Sequence, residues 1–421
     1  MPAAPALPGV DRHRFARRRA AVLIGVHLLI GLHLAHWKIA GRTLAPLELN
    51  EVMHTLELGL VTAGFLLMAT AVLSVLVVGR FFCSWGCHLL ALQDLCAWLL
   101  RRAGIHPVPV RSRLLRLVPL GAAVYMFVWP QVARLLVRSW PSLTPLVGPR
   151  PDFRLRVATE AEGWASFVTS DFARNLPGPG MALLTFLVCG FVVVWLLGTR
   201  SFCRDVCPYG ALFSAADRFA PGRIVLAGDC TGCALCTAVC ETGLRVHEEV
   251  ARHGQVTSGD CLKDLDCVAV CPTGGLAFGF RRPPLLARRG VARPYDTSRG
   301  EELLAAAVFL VVLLATRGLY RLVPFLLALT LAGLAAFAAV VALRLARRPE
   351  VRWQRWRLRR AGRLTTAGAA FVGLLLLAGG ATAHAARLRW HEWRGDRAWN
   401  AWQLQSGDGP LARAAARRAL H

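Results

Sequence analysis

Seven of the chain's 13 cysteines lie between Asp229 and Phe278, in two runs whose spacing limits what this segment can fold around. The first run is Cys-x2-Cys-x2-Cys-x3-Cys and begins at Cys230. The second is Cys-x5-Cys-x3-Cys-Pro and begins at Cys261. Three cysteines on one tight loop can aim their sulfurs at one centre, while a cysteine one helical turn later points away from it. Two such runs suit a pair of metal clusters better than a single tetrahedral ion.

The first spacing is that of bacterial two-cluster ferredoxins, in which the fourth cysteine of a run binds the other cluster. The sequence therefore predicts two iron–sulfur clusters with crossed ligands. Cluster A takes Cys230, Cys233, Cys236 and Cys271. Cluster B takes Cys240, Cys261 and Cys267, and its fourth position is open.

That open position falls on Asp264. When the first spacing is laid on the second run, Asp264 stands where a cysteine is expected. Three interpretations remain: a carboxylate ligand to a labile fourth iron, a three-iron cluster, or a second site that binds nothing. The stretch from Cys267 to Cys271-Pro272 otherwise keeps the ferredoxin pattern, which favours the first two.

Hydrophobic residues make up 55% of the 421 residues and are gathered in long runs typical of membrane helices. We therefore predict a mainly α fold, a polytopic membrane helix bundle with an inserted α+β two-cluster ferredoxin domain. The predicted membrane helices are 20–38, 57–79, 114–137, 180–198, 302–317, 322–345 and 364–386. The predicted domains are a basic cytoplasmic leader (1–19), a four-helix membrane region with two Cys-x3-Cys motifs (20–214), the ferredoxin-like domain (215–280), a C-terminal membrane region of about three helices (281–386) and a Trp- and Arg-rich interfacial tail (387–421).

The charge pattern predicts the orientation of this bundle. The 50 Lys and Arg residues outnumber the 25 Asp and Glu residues, giving a formal net charge of +25. These charges lie in short loops beside apolar runs, so membrane topology explains them better than nucleic-acid binding. The positive-inside rule places the leader, residues 80–113, the ferredoxin region and residues 344–363 in the cytoplasm of a bacterial inner membrane. Free thiols for metal, rather than disulfides, are expected there.

A shorter cysteine motif occurs twice, each time directly after a predicted membrane helix. Phe-Cys-x3-Cys follows the second helix with Cys83 and Cys87, and follows the fourth with Cys203 and Cys207. Residues four apart on a helix share a face, so packing of the two helices could bring four thiols together. The four thiols could bind a metal, cycle as a dithiol or stabilise a turn. Matched positions in a repeat favour a redox or metal role over buried structural thiols.

The first predicted helix carries three histidines, and intramembrane histidines are often functional. They are His27, His33 and His36, and His54 precedes the next helix. Structural bonding near the outer headgroups is the interpretation we favour. A quinone site is the second candidate, and a haem site is the third.

Taken together, the Cys83–Cys87 motif, the Cys203–Cys207-Pro208-x-Gly210 motif and the double ferredoxin run resemble those of the NapH/NosR-type membrane polyferredoxins. The resemblance covers about residues 57–280, and the assembly factor CcoG is similar in its core. It implies an iron–sulfur protein of the bacterial inner membrane that works with a redox partner protein. This chain departs from the family pattern at three places, where His88 follows the first pair, Glu241 follows Cys240 and Asp264 replaces a cysteine.

These features predict a membrane-bound electron-transfer protein that relays electrons between a quinone or cytoplasmic donor and a redox partner. The alternative is a copper reductase or metallocentre assembly factor that uses Cys83, Cys87, Cys203 and Cys207 as soft-metal ligands. A redox sensor or scaffold is a third class. It would have clusters that respond to oxidant without reducing a partner.

Overall fold

The computed structural model describes residues 11, 13–147, 153–162, 165–173, 178–286 and 295–405. Of the predicted leader, residues 1–10 and 12 lie outside this set, as do residues 406–421 of the predicted tail. The helices, labelled α1 to α15 in order, are Arg14–Ala40, Val52–Leu58, Ala63–Val78, Phe81–Trp85, His88–Arg102, Arg113–Ser139, Thr144–Val147, Pro179–Leu197, Pro208–Ala216, Leu235–Ala238, Val246–His253, Asp266–Ala269, Arg299–Thr316, Phe325–Arg347 and Thr366–Gln405.

Short strands and helical turns complete the described structure. The strands β1 to β7 are Thr43–Leu44, Val168–Thr169, Gly222–Leu226, Leu276–Phe280, Val351–Trp353, Trp356–Arg360 and Arg363–Leu364. The 3-10 turns are Leu49–Glu51, Pro141–Leu143, Glu160–Glu162, Asp217–Phe219, Pro284–Leu286 and Leu319–Arg321. Phe202–Val206 forms a π-helical turn just before α9.

Five of these helices are long and apolar enough to cross a membrane, namely α1, α6, α8, α14 and the Thr366–Trp399 part of α15. A helix also forms at each of the two other predicted positions. The shorter α3 rises only about 24 Å, against the roughly 30 Å of a bilayer core. The helix α13 is 18 residues long, but the charged residues Arg299, Glu301 and Glu302 occupy its first turn, so its apolar part is shorter than the helix. The chain is therefore a membrane protein built mainly from helices, as its apolar runs predicted.

The membrane helices begin and end at recognisable residues. The Thr62 hydroxyl caps α3 by accepting the N–H of Phe65, and Ser298 with Glu301 forms a capping box on α13. Inside α6, Pro119 cannot donate a backbone hydrogen bond, and a π-helical segment follows at Val124–Val128. The cysteine motifs follow the C-terminal ends of α3 and α8, where Gly79 and Gly198 have positive φ.

The ferredoxin-like lobe occupies the segment between α9 and α13. Strands β3 and β4 pair antiparallel, with Gly222 opposite Phe280 and Leu226 opposite Leu276. Three short helices, α10, α11 and α12, complete the lobe. Its core contains Ile224, Leu244 and Val250 together with several cysteines. This is the small α+β unit that the cysteine spacing predicted.

The segments predicted to share one side of the membrane lie at the same end of the bundle. Arg19, at the start of α1, pairs with Asp266 of the lobe. Gln354 of the β5–β6 turn hydrogen-bonds Val108, and Arg344 of α14 forms a forked pair with Glu301 of α13. At the opposite end β1 pairs with β2.

The last membrane helix continues into the stretch predicted as an interfacial tail. α15 runs without a break from Thr366 to Gln405. Trp390 and Trp393 stack on each other, as do Trp399 and Trp402, and all four indoles are exposed. The stretch after Ala386 is rich in Arg and Ala, which form helix well, and it contains no proline before Gln405.

Candidate functional site

The two cysteine loops of the lobe have the same backbone. In the first, Cys233 lies between Gly232 and Ala234, and in the second Asp264 lies between Lys263 and Leu265. All four flanking residues have positive φ, between 57° and 70°. In both loops the second of these residues caps a one-turn helix, α10 or α12. The structure therefore places Asp264 at the position equivalent to Cys233.

Site A consists of Cys230, Cys233, Cys236 and Cys271, and these four cysteines line one cavity. Cys230 and Cys233 are exposed, while Cys236 is buried. The loop after Cys271 lies close to Asp229, just before the first cysteine run. A Cβ on Gly275 would lie only 2.3 Å from the carbonyl oxygen of Asp229. Four thiols around one cavity fit a [4Fe–4S] cluster, whose chemistry when bound is reversible one-electron storage.

The surroundings of site A act differently on its buried and peripheral thiols. Burial raises the pKa of Cys236 to about 11. Burial also raises the pKa of Cys271, but its side-chain contact with Thr273 and hydrogen bonds from backbone N–H groups outweigh it, so its net pKa lies below the usual value. The Thr273 hydroxyl donates its proton to the backbone carbonyl of Asp229 at 2.8 Å, which ties the end of the second cysteine run to the start of the first.

Site B consists of Cys240, Cys261, Asp264 and Cys267. Cys267 is close enough to the other three for their charges to act on it, and it also senses Cys236 of site A. Burial, followed by the negative charge of Asp264, raises the pKa of both Cys240 and Cys267. Three buried thiols and a carboxyl group are costly to ionise together unless a cation is bound among them. These side chains therefore fit an iron-containing group.

Site C consists of Cys83, Cys87, Cys203 and Cys207, which packing brings together from the two repeats. All four belong to one buried apolar cluster, and Cys203 is near enough to the other three to sense their charges. The Gln93 side chain donates to the Cys203 sulfur at 3.0 Å. A Cβ on Gly210 would lie 2.6 Å from the carbonyl oxygen of Cys203, so only glycine allows this close approach. Four thiols in one place supply the ligands that an iron–sulfur cluster takes.

Sites B and C lie against each other. The Ser84 hydroxyl donates to the carbonyl of Leu262 at 2.6 Å, and the Trp85 indole donates to that of Lys263 at 3.1 Å. The Leu262 side chain packs in the apolar cluster that contains the site C cysteines. Because Cys261 of site B precedes Leu262, one loop touches both sites.

A buried ion network joins site B to the membrane helices. The Arg200 guanidinium is 3.5 Å from Asp264, 3.3 Å from Asp94 and 2.7 Å from Glu241. Arg19 adds contacts to Asp94 and Asp266. Thus two of the three departures from the family pattern, Glu241 and Asp264, meet on one arginine.

A second buried network anchors the loop of site B. The Asp217 carboxylate accepts hydrogen bonds from Lys263 and Arg223, both at 2.7 Å, and from the backbone N–H of Arg80 at 3.0 Å. The three charged side chains of Asp217, Lys263 and Arg223 are fully buried. Gly79 is required beside them, because its φ is +73° and a Cβ would lie 2.6 Å from Asp217.

The histidines of α1 contact backbone or neighbouring strands. His27 bonds the carbonyl of Leu23, His33 that of Leu44, and His36 the hydroxyl of Thr43. These contacts support the structural interpretation of these residues. Among the described residues, no group of three or more His, Cys, Asp or Glu side chains is arranged around a single metal ion.

Sequence reasoning missed Arg80 and Arg200, although a signal for them exists. Each precedes the first cysteine of its Cys-x3-Cys motif by three residues. Each is buried, and each has one nitrogen without a hydrogen-bond partner in the described structure. Arg80 bonds the carbonyl of Gly259 and lies beside Cys83. The two repeats therefore each direct one arginine toward the loop of site B.

In a comparison with known proteins, an iron–sulfur family matches the two repeats. A family described as "4Fe-4S binding domain" matches twice, at residues 60–105 and 179–225. Each match contains one Cys-x3-Cys pair and its preceding helix, and neither includes the cysteines of sites A and B. The matches support iron–sulfur clusters in this chain.

Two curated proteins are similar to this chain. The methylamine utilization ferredoxin-type protein MauN of Methylobacillus flagellatus is 26% identical over 188 residues, which is 42% of this chain and 56% of MauN. The ferredoxin-type protein NapH of Haemophilus influenzae is 24% identical over 247 residues, 55% of this chain and 75% of NapH. No solved structure matches. The resemblance to NapH-type polyferredoxins is thereby confirmed, and an iron–sulfur electron-transfer role is supported, while the comparisons do not bear on the likeness to CcoG.

Proposed function

We propose that this protein carries electrons between a redox partner at the exposed face of the lobe and an acceptor or donor in the membrane. Site A receives or releases electrons at the surface, site B lies between, and site C is at the membrane end. The contact of the Gly259–Asp264 loop with site C is the observation that carries this proposal, because it joins site B to site C and so extends the adjacent pair of sites A and B toward the membrane.

The exposure of the sites supports this order. Cys230 and Cys233 of site A are exposed, whereas Cys261 and Cys267 of site B are buried. A partner can therefore approach site A closely, while burial shields site B from water and oxidants. Cys236 and Cys267 interact and lie in the same core cluster, so sites A and B are adjacent.

Site C is proposed as a third iron–sulfur site. The family description supports it, since each match covers one of its cysteine pairs. Its four thiols and the neighbouring Arg80 would hold and partly neutralise an anionic cluster. A quinone in the bilayer is the proposed exchange partner at this end.

Iron quantitation and EPR redox titration of anaerobically purified protein test the assignment of site C. We expect a Cys83→Ala/Cys203→Ala variant to lose one set of EPR signals and up to about four irons per chain, and to keep the signals of sites A and B. Cys189→Ala is the matched control, because Cys189 is a thiol of α8 outside all three sites. Unchanged iron and signals in the double variant would exclude a cluster at site C.

The same material tests copper binding, the alternative function. Stoichiometric Cu(I) binding that requires the four site C cysteines, with no cluster signal lost, would favour the metal reductase or assembly factor.

Electron transfer itself is tested by stopped-flow reduction of site A followed by reoxidation with a quinone analogue. If site A is reduced but quinone never reoxidises it, the protein behaves as a sensor or scaffold.

We further propose that the lobe faces the cytoplasm of a bacterial inner membrane. The loop arginines gathered at the lobe end of the bundle support this orientation. Thiol labelling of the apoprotein checks it through Cys233, which is exposed. We expect labelling in inverted vesicles and none in intact spheroplasts, and the reverse pattern would refute the orientation.

A further inference from the structure

A cavity of about 330 Å³ lies between the lobe and α6, and the proposed electron path does not use it. One wall is formed by Thr242–Leu244, just after Cys240 of site B. Cys203 of site C lines it as well. Its membrane side is formed by Pro119 and Leu120, within a helix apolar enough to span the bilayer. The cavity therefore lies where a lipid headgroup would meet the protein.

The cavity is strongly basic. Its lining includes six arginines and three acidic residues, namely Arg80, Arg111, Arg116, Arg204, Arg218 and Arg245 with Asp205, Glu249 and Asp260. Two of the arginines are neutralised locally. Arg204 forms a forked pair with Asp205 at 2.9 and 2.6 Å, and Arg245 pairs with Glu248 at 3.0 Å.

The remaining arginines have capacity to bind an anion. In the part of the chain that the structure describes, the side chains of Arg111, Arg116 and Arg218 have no hydrogen bond or ion pair. Arg80 is only 3% exposed, and its Nε has no partner there. The Arg80 guanidinium is shared with Cys83 of site C, so Arg111, Arg116 and Arg218 are the groups that a bound anion would pair with.

We propose that this cavity binds the phosphate group of an anionic phospholipid. Guanidinium groups bind phosphate oxygens through forked hydrogen bonds, and basic pockets at the cytoplasmic end of membrane helices hold anionic headgroups. Arg116 and Leu120 are four residues apart on α6 and share a face. Leu117 and Leu120 are more than half exposed, so an acyl chain can lie along the helix below the headgroup.

Native mass spectrometry of protein released from nanodiscs tests this proposal. The variant is Arg111→Gln/Arg116→Gln/Arg218→Gln, in discs of phosphatidylglycerol or of phosphatidylcholine. We expect bound phosphatidylglycerol to fall at least about tenfold relative to wild type, because each arginine near a membrane surface contributes about 1 kcal/mol. Phosphatidylcholine should not be retained by either protein.

The matched control is Arg352→Gln/Arg357→Gln/Arg360→Gln. It removes the same charge from exposed arginines of β5 and β6, at the same end of the bundle but outside the cavity. Retention of phosphatidylglycerol should be unchanged in this control. Equal losses in the two triples, or no loss in either, would overturn the proposal.

Two further arms keep the result interpretable. If the cavity triple does not assemble with wild-type iron content, the single variants Arg116→Gln and Arg218→Gln replace it, each with an expected loss of about fivefold. Inorganic phosphate is the second probe, applied to protein in neutral detergent. Arginine-dependent binding of inorganic phosphate without any effect on phosphatidylglycerol would assign the cavity to a soluble anion and overturn the lipid assignment.

Discussion

The two halves of the lobe have one backbone but opposite surroundings. The loop of Cys230–Cys240 reaches solvent, and a glycine and an alanine occupy its two positive-φ positions. The loop of Cys261–Cys271 has Lys263 and Leu265 at the same two positions, both buried against the rest of the protein. The difference teaches that the same loop backbone can be open to solvent in one half and fixed to the membrane helices in the other.

The strongest test of this comparison removes the anchor of the second loop. Asp217→Asn leaves the buried Lys263 and Arg223 without their counter-charge. We therefore expect the free energy of unfolding to fall by about 3 to 5 kcal/mol and iron to be lost from site B. Differential scanning fluorimetry and iron quantitation measure both effects.

Thr273→Val serves as the control in the other half. It removes the hydrogen bond from the Thr273 hydroxyl to the carbonyl of Asp229 beside site A, at an expected cost of about 1 kcal/mol in the free energy of unfolding. If this change were as damaging as Asp217→Asn, the two halves would not differ in their anchoring.

A second variant tests the ion network of site B. Arg200→Gln leaves Asp94, Glu241 and Asp264 without their shared cation, and we expect destabilisation of about 2 to 3 kcal/mol. Because a positive charge near site B favours its reduced state, the reduction potential of site B should fall while that of site A stays constant. EPR redox titration measures the reduction potentials of sites A and B separately.

Arg101→Gln is the matched control for Arg200→Gln. Arg101 contacts the other oxygen of Glu241 at 3.4 Å, but its side chain is 42% exposed. Solvent screens such a pair, so its loss should change neither the stability nor the potential measurably. Equal effects of the two variants would contradict the network.

A reciprocal exchange asks whether Asp264 alone makes the two clusters different. Asp264→Cys should complete a set of four thiolates at site B and raise its iron content under chelation by about one atom per chain. Cys233→Asp should give site A the labile or three-iron behaviour predicted for site B. EPR and iron quantitation measure the clusters of both variants. If Cys233→Asp retains four tightly held irons at site A, the surroundings of a site, and not its carboxylate ligand, determine the type of cluster.

The smallest expected effects sharpen the comparison at the positive-φ positions. Ala234→Gly removes a Cβ from a left-handed residue, and we expect a gain of about 0.5 kcal/mol. Leu265→Gly relieves the same kind of strain but loses a buried side chain, so a net loss of about 1 to 2 kcal/mol is expected. Thermal unfolding of both variants checks the opposite signs.

Much of the architecture could be predicted because hydrophobic runs and cysteine spacing are local properties. A helix formed at each of the seven predicted positions, and Asp264 occupies the position equivalent to Cys233. The ion networks could not be predicted in this way. Arg200 is separated from Asp94, Glu241 and Asp264 by tens of residues or more, and one sequence gives no information on which acids an arginine will meet.

The sequence by itself determined the membrane helices, the lobe and the cysteine motifs, because each depends on residues close together in the chain. Only the tertiary structure decided that site C assembles from two repeats, that the loop of site B packs on it and that a basic cavity forms beside them. The physical reason is that burial and charge pairing between distant segments depend on how the helices pack. That packing brings Glu241 and Asp264, two residues outside the family pattern, into contact with one buried guanidinium, that of Arg200.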